Sequence, residues 1–173
     1  MNRLQEEISA LKRKKGAVVL AHYYQTMDIQ EIADHVGDSF ALARRAKEAE
    51  ADLIVFCGVL FMAESAKILN PEKTVLLPAP DAGCPMADMI GPEDVRRLRD
   101  MYPDAAVVCY INSSAAVKAE SDICCTSSSA LRIISSLPNQ RIIFIPDQNL
   151  GSYAASQLPG KDIILYEGFC PSH

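Results

Sequence analysis

Short apolar runs, each bracketed by segments at helical spacing, set the rhythm of this chain. In the first half Ala17–Ala21, Leu53–Cys57 and Thr74–Leu77 read as buried strands. In the second half Ala105–Cys109, Ile142–Ile145 and Ile163–Leu165 read the same way. Leu4, Ile8 and Leu11 mark one face of an opening helix that Gly16 stops. Ile29, Ile32, Ala33 and Val36 predict a helix from Asp28 to about His35, and Gly37-Asp38-Ser39 then opens another, with Asp38 or Ser39 as its N-cap. Met62 to Leu69 is a short helix, and Gly91-Pro92-Glu93-Asp94 starts one that runs to about Tyr102. Cys125-Thr126-Ser127 opens a further helix, and Leu150 to Gln157 is the last.

The two halves repeat. An offset of 88 carries Val19 onto Val107, His22 onto Tyr110, Tyr24 onto Asn112, Ser39 onto Ser127, Phe56 onto Phe144 and Lys73 onto Lys161. Similarity at a fixed period marks duplicated architecture. Each copy reads as β-α-α-β-α-β, which predicts an α/β fold of repeated αβα units, residues 1–88 and 89–173, each with a small parallel sheet. Right-handed crossovers place all strand C-termini of a unit on one edge. His22, Gly58 and Cys84 are expected on the first edge, and Tyr110, Pro146 and Cys170 on the second. In open α/β sheets that is the edge where ligands bind.

Composition narrows the classes. With 49% hydrophobic and 23% charged residues, the 173-residue chain matches ordinary soluble globular proteins. A net charge of −5 gives no reason to expect a nucleic-acid partner. The one basic run, Lys12–Lys15, falls at a helix end, where cations suit the macrodipole. The apolar stretch Leu53–Ala63 is far below the roughly 18 residues a membrane span needs. Glu6 and Glu7 do not fit a secretory leader. Six cysteines without such a leader point to a reducing compartment, with the cytoplasm as the default.

Candidate chemistry sits at the strand exits. His22, Tyr24 and Gln25 bring an imidazole, a phenol and an amide just past a buried strand, and Tyr110 and Asn112 do so in the second copy. Ser39 and Ser127 are expected at helix starts, where hydroxyls and free N–H groups cap the helix or hold an anion. Cys57 and Cys109 read as small core hydrophobes, while Cys124 and Cys125 precede the expected helix. Cys84 and Cys170 differ, because each lies on a loop and is followed by proline. Those two thiols look like ligands, with His173 as a third; no Cys-x-x-Cys or ferredoxin-type run is present. Glu64 and Lys67 read as a surface i,i+3 pair.

Several separated motifs belong together: Leu20-Ala21-His22-Tyr23-Tyr24-Gln25, Val36-Gly37-Asp38-Ser39, Val55-Phe56-Cys57-Gly58-Val59 and the run Phe61–Leu69. Ala82-Gly83-Cys84-Pro85, Tyr110-Ile111-Asn112 and Glu167-Gly168-Phe169-Cys170-Pro171 complete the set. Together they resemble the motifs of the quinolinate synthases, iron–sulfur transferases of NAD biosynthesis. The resemblance implies a pseudo-threefold fold of three αβα units, each giving one cysteine to a [4Fe–4S] cluster whose fourth iron binds substrate. It also implies condensation of iminoaspartate (iminosuccinate) with dihydroxyacetone phosphate to quinolinate. Cys84 and Cys170 would be two of the cluster ligands. His22, Ser39, Tyr110, Asn112, Ser127 and His173 would bind substrate, with Tyr24, His22 and Tyr110 carrying the catalytic proton transfers. The third unit and third cysteine are expected to be absent, so the chain alone should be poorly active unless a homo-oligomer or another chain supplies them. The competing expectations are an inactive fragment and a cluster-free module for a small phosphorylated metabolite.

Overall fold

The computed structural model describes residues 2–171. The chain divides into two compact units, Met1–Gly83 and Cys84–His173. Each holds one four-stranded, all-parallel sheet flanked by helices, an α/β arrangement consistent with repeated αβα units.

In the first unit the elements are α1 (Arg3–Lys15), β1 (Ala17–His22), α2 (Met27–Gln30), β2 (His35–Gly37), α3 (Ser39–Glu48), β3 (Leu53–Cys57), α4 (Leu60–Leu69) and β4 (Thr74–Leu76). The second unit repeats the plan. A short 3-10 turn at Ala87–Met89 precedes α5 (Pro92–Met101), β5 (Ala106–Tyr110), α6 (Ala115–Ala119), β6 (Ile123–Cys125), α7 (Ala130–Ser136), β7 (Arg141–Ile145), α8 (Gln148–Gln157) and β8 (Asp162–Leu165). No helix among the described residues is long and apolar enough to cross a membrane.

Two corrections follow. Each sheet has four strands, not three, because β2 and β6 were not anticipated. The helix expected over Asp28 to His35 is one turn, Met27–Gln30, after which the chain turns into β2. Asp34 makes the switch: its N–H donates to the Val19 carbonyl (2.8 Å), and its carboxylate accepts from the Val19 N–H (2.8 Å). The residue 88 positions later does the same, with Asp122 clamping Val107 through bonds of 3.0 and 2.8 Å.

The repeat thus extends to single hydrogen bonds. Lys73 donates to the Ala46 carbonyl (2.9 Å) and to that of Ala49, at the C-terminal end of α3. Lys161 donates to Leu137 and Asn139, both at 2.7 Å, beyond α7. Cations there satisfy orphan carbonyls and oppose the helix dipole. Strand register repeats too: His22 pairs with Gly37 as Tyr110 pairs with Cys125.

The opening helix departs from its apolar reading. Leu4 and Leu11 are exposed, and the buried member is Gln5. Gln5 closes a capping box with Asn2 and donates to the Asp28 carbonyl (3.0 Å) and the Glu31 carboxylate (2.9 Å). A buried amide costs little when its groups are paired in this way. Gly16 ends the helix at φ 60°, the left-handed value that glycine adopts without strain.

In the second unit both faces of the sheet are covered. Ala106, Val108 and Tyr110 pack with Ile142, Phe144, Ile134 and Ala154 on the face of α7 and α8. Val107, Cys109, Ile143 and Ile145 pack with Val95 and Val117 on the face of α5 and α6. A strand buried on both sides carries an unbroken apolar run, which is why β5 and β7 stood out in the sequence. The observed orders, β2-β1-β3-β4 and β6-β5-β7-β8, reverse direction between β1 and β3 and between β5 and β7. Those reversals are topological switch points, where α/β sheets open a crevice beyond the strand ends.

Candidate functional site

The first unit presents an imidazole at its switch point. His22 ends β1 and is only 6% exposed. Its Nδ1 accepts from the Tyr24 N–H at 3.3 Å, so the neutral ring carries its proton on Nε2. Burial pulls its pKa below the ordinary histidine value, against a smaller opposing pull from Asp38. His22 is therefore a neutral donor at physiological pH. The Tyr23 ring stacks on it at 4.5 Å, and the exposed Tyr24 ring meets it edge-on at 4.6 Å. Ser39 is the first residue of α3, but the cap is Asp38, whose carboxylate accepts from the Ala41 N–H at 2.8 Å. Lys67 donates to the carbonyls of Pro71 (2.8 Å) and Lys73 (2.7 Å).

The second unit gathers sulfur around a phenol. Tyr110 ends β5 with 8% exposure, and its hydroxyl accepts from the Asn112 amide at 3.1 Å. Cys84 and Cys170, both half-buried, pack against the core that contains Tyr110 and the buried Cys125. Cys84 therefore belongs to the second unit, and the first edge carries His22, Tyr24 and Ser39 without it. Burial, then the negative field of Asp147 and of the Cys125, Cys170 and Cys84 sulfurs, pushes the Tyr110 pKa up to about 12. The phenol keeps its proton at neutral pH and serves as a weak acid or donor.

Asp147 is the residue that sequence reasoning missed. It follows β7 across the switch point from Tyr110 and is 3% exposed. Its carboxylate caps α8 by accepting from the Asn149 N–H at 2.9 Å. Its position was recoverable only once the sheet order was known, because β7 neighbours β5 at the switch. The loop bearing Cys170 is tied to this corner. Asp147 and Gly168 form an isolated parallel bridge, and Gln148 N–H donates to the Gly168 carbonyl at 2.7 Å. A side chain at position 168 would meet the Pro146 carbonyl oxygen at 2.5 Å, so glycine is required for the approach.

Ser127 is not at a helix start. It lies exposed in the Thr126–Ser129 turn, and α7 begins at Ala130 with Ser129 as its N-cap. The Ser129 hydroxyl makes no cap bond to α7; it accepts from the Thr126 N–H at 2.9 Å and so closes the turn that precedes the helix. Cys124 and Cys125 likewise lie in β6 rather than ahead of a helix. His173 lies outside the described residues. Among the described residues no group of three or more His, Cys, Asp or Glu is placed to hold a metal ion. A cavity of about 500 Å³ beside Leu165–Gly168 is lined by none of the candidate residues.

A family profile described as "Quinolinate synthetase A protein" matches residues 6–173. The chain belongs to the quinolinate synthase family. It is 60% identical to the quinolinate synthase of Caldicellulosiruptor saccharolyticus over 173 residues, covering 100% of this chain and 57% of that protein. It is 59% identical to that of Clostridium perfringens strain 13 and 57% identical to that of Aquifex aeolicus. Each of those matches spans 170 residues, 98% of this chain, and 56% and 53% of the respective relative. The chain thus spans little more than half the length of these quinolinate synthases.

Proposed function

We propose that this chain carries part of a cytoplasmic quinolinate synthase of NAD biosynthesis, condensing iminoaspartate with dihydroxyacetone phosphate to quinolinate. The observation that carries the reading is the gathering of Cys84 and Cys170 around the buried Tyr110 within one unit. Identity of 60% to a named quinolinate synthase across the whole chain supports it.

Iron–sulfur clusters take cysteine thiolates. Cys84 and Cys170 fit as two such ligands, being free, half-buried and packed on the same core. With no group of three metal donors among the described residues, they supply part of a ligand set rather than all of it. A bound [4Fe–4S] cluster with an open iron would supply Lewis acidity.

The protein's own groups provide binding and proton transfer. In the first unit His22 offers an Nε2–H to a substrate oxygen, with the Tyr24 phenol beside it. Ser39 adds a hydroxyl at the start of the ten-residue α3, where phosphate and carboxylate are well held. In the second unit Tyr110 is the protonated acid, Asn112 orients its oxygen, and Asp147 is a buried acceptor beside it. Ser127 offers an exposed hydroxyl. Two thiols fall short of the usual three or four, so a further ligand comes from outside these 173 residues, and these residues alone turn over poorly.

Anaerobic reconstitution with iron and sulfide, followed by iron analysis and a quinolinate assay, tests this reading. Iron uptake should fall in Cys84→Ser and in Cys170→Ser but not in Cys57→Ser, with quinolinate formed slowly at best. Uptake indifferent to Cys84 and Cys170 would remove the ligand assignment, and rapid turnover would remove the claim of impairment.

A further inference from the structure

The α5/α6 face of the second sheet, opposite Tyr110, carries a thiol pair to which the proposed reaction gives no role. Cys109 of β5 and Cys124 of the edge strand β6 are direct partners in the parallel register. Neighbouring strands lie about 4.8 Å apart, inside the Cα separation of about 4.4–6.8 Å that a disulfide spans. Both side chains belong to the same apolar layer; Cys109 is fully buried and Cys124 partly so. The Cys109 thiol donates to the Tyr110 carbonyl at 3.3 Å, and the two thiols interact electrostatically.

We propose that Cys109 and Cys124 form a reversible dithiol–disulfide couple that reacts with small-molecule disulfides of the glutathione class. Cys124 is the attacking thiol. It is the more exposed of the two, and the neighbouring Cys109 thiol and the Lys118 ammonium lower its pKa against burial, while the buried Cys109 is pushed up and keeps its proton. A lowered pKa raises the thiolate fraction available for attack. The Cys124 thiolate attacks one sulfur of the oxidant, forming a mixed disulfide and expelling one thiolate, which takes up the Cys109 proton. Cys109 sulfur then attacks Cys124 sulfur and expels the second thiolate. Two electrons pass from the protein to the oxidant, which leaves as two thiols. The product ties the edge strand to its neighbour one residue before both Tyr110 and Cys125.

The test is native exposure of the complete chain to oxidised glutathione, alkylation of remaining thiols, tryptic digestion and mass spectrometry. Cleavage after Arg99, Lys118 and Arg132 puts Cys109 on one peptide, 100–118, and Cys124 with Cys125 on the next, 119–132. The couple predicts these two peptides joined, reversibly with dithiothreitol. The link is abolished in Cys124→Ser and retained in Cys125→Ser; Cys125→Ala serves if the buried serine prevents folding. Alkylated Cys109 after oxidation, a Cys124–Cys125 bridge within one peptide, a mixed disulfide that goes no further, or a link that survives Cys124→Ser each overturns the proposal.

Discussion

Gly168→Ala probes the corner that holds the Cys170 loop. The added methyl would sit 2.5 Å from the Pro146 carbonyl oxygen, 3.3 Å from the Pro146 carbonyl carbon and 3.3 Å from the Tyr166 ring. The nearest of these is backbone, which cannot swing away, so the loop must lift and lengthen the 2.7 Å bond from Gln148 N–H to Gly168 O. Overpacking of this kind costs about 1–3 kcal/mol. If the strain is released by local opening, that range corresponds to roughly 5- to 150-fold faster exchange of the Gln148 amide. Hydrogen exchange followed by NMR reads this directly, and iron uptake at Cys170 should fall in parallel. Gly160→Ala is the control, because nothing lies within 4 Å of the new methyl and its φ is not in the left-handed range. It should be neutral or stabilising by up to about 1 kcal/mol through the unfolded chain. Unchanged Gln148 exchange in Gly168→Ala would refute the claim that glycine is needed for the loop to close on Pro146.

Further predictions follow from the repeat and from the buried groups. Asp34→Ala and Asp122→Ala should each destabilise by about 1–3 kcal/mol in urea unfolding, because each orphans a buried strand N–H; a large cost at only one site would deny their equivalence. Burial pushes the Asp122 carboxyl up, but the Arg99 guanidinium and the Val107 N–H outweigh it and hold the pKa below its ordinary 3.8, so its contribution is lost as pH falls through the folded value. His22 has a folded pKa below 6.5, so the unfolded chain binds its proton more readily and stability falls as pH drops below 6.5. His22→Asn should flatten that slope, and an NMR titration midpoint above 6.5 would reverse the argument. Tyr110 should be a late-ionising phenol, near 12, in an alkaline absorbance titration, absent in Tyr110→Phe. Its folded pKa exceeds the ordinary 10, so its contribution is intact below 10 and is lost as pH rises toward 12.

What the chain reveals before folding depends on how much signal each element carries. β1, β3, β5 and β7 announce themselves because each carries four or five consecutive apolar residues, most of them buried in β1, β5 and β7. β2 and β6 do not, since three residues are too few to show a period, and Asp34 and Asp122 look like ordinary polar positions until their bonds to Val19 and Val107 are seen. Missing those strands hid the sheet order, the switch points, and with them Asp147. Ser127 has no distinguishing signal because every member of the run Thr126-Ser127-Ser128-Ser129 has capping chemistry, and the turn closed by the Thr126–Ser129 bond delays the helix to Ala130. Cys84 and Cys170 are legible as loop cysteines and Cys109 as a strand one, since a cysteine before proline on a loop is distinguishable from one inside an apolar run. Even so, the register that pairs Cys109 with Cys124 required the sixth strand.

The proposed part of this chain in quinolinate formation is to supply Cys84, Cys170 and Tyr110. The most direct measurement replaces the matching region of the Caldicellulosiruptor saccharolyticus quinolinate synthase, which is 60% identical over all 173 residues, with this chain. The chimera is reconstituted anaerobically and assayed for quinolinate from iminoaspartate and dihydroxyacetone phosphate. The expected result is an active chimera that loses its activity in Cys84→Ser and in Cys170→Ser and is strongly slowed in Tyr110→Phe. A chimera that stays active without either cysteine, or that loads iron fully and forms no quinolinate, would contradict it.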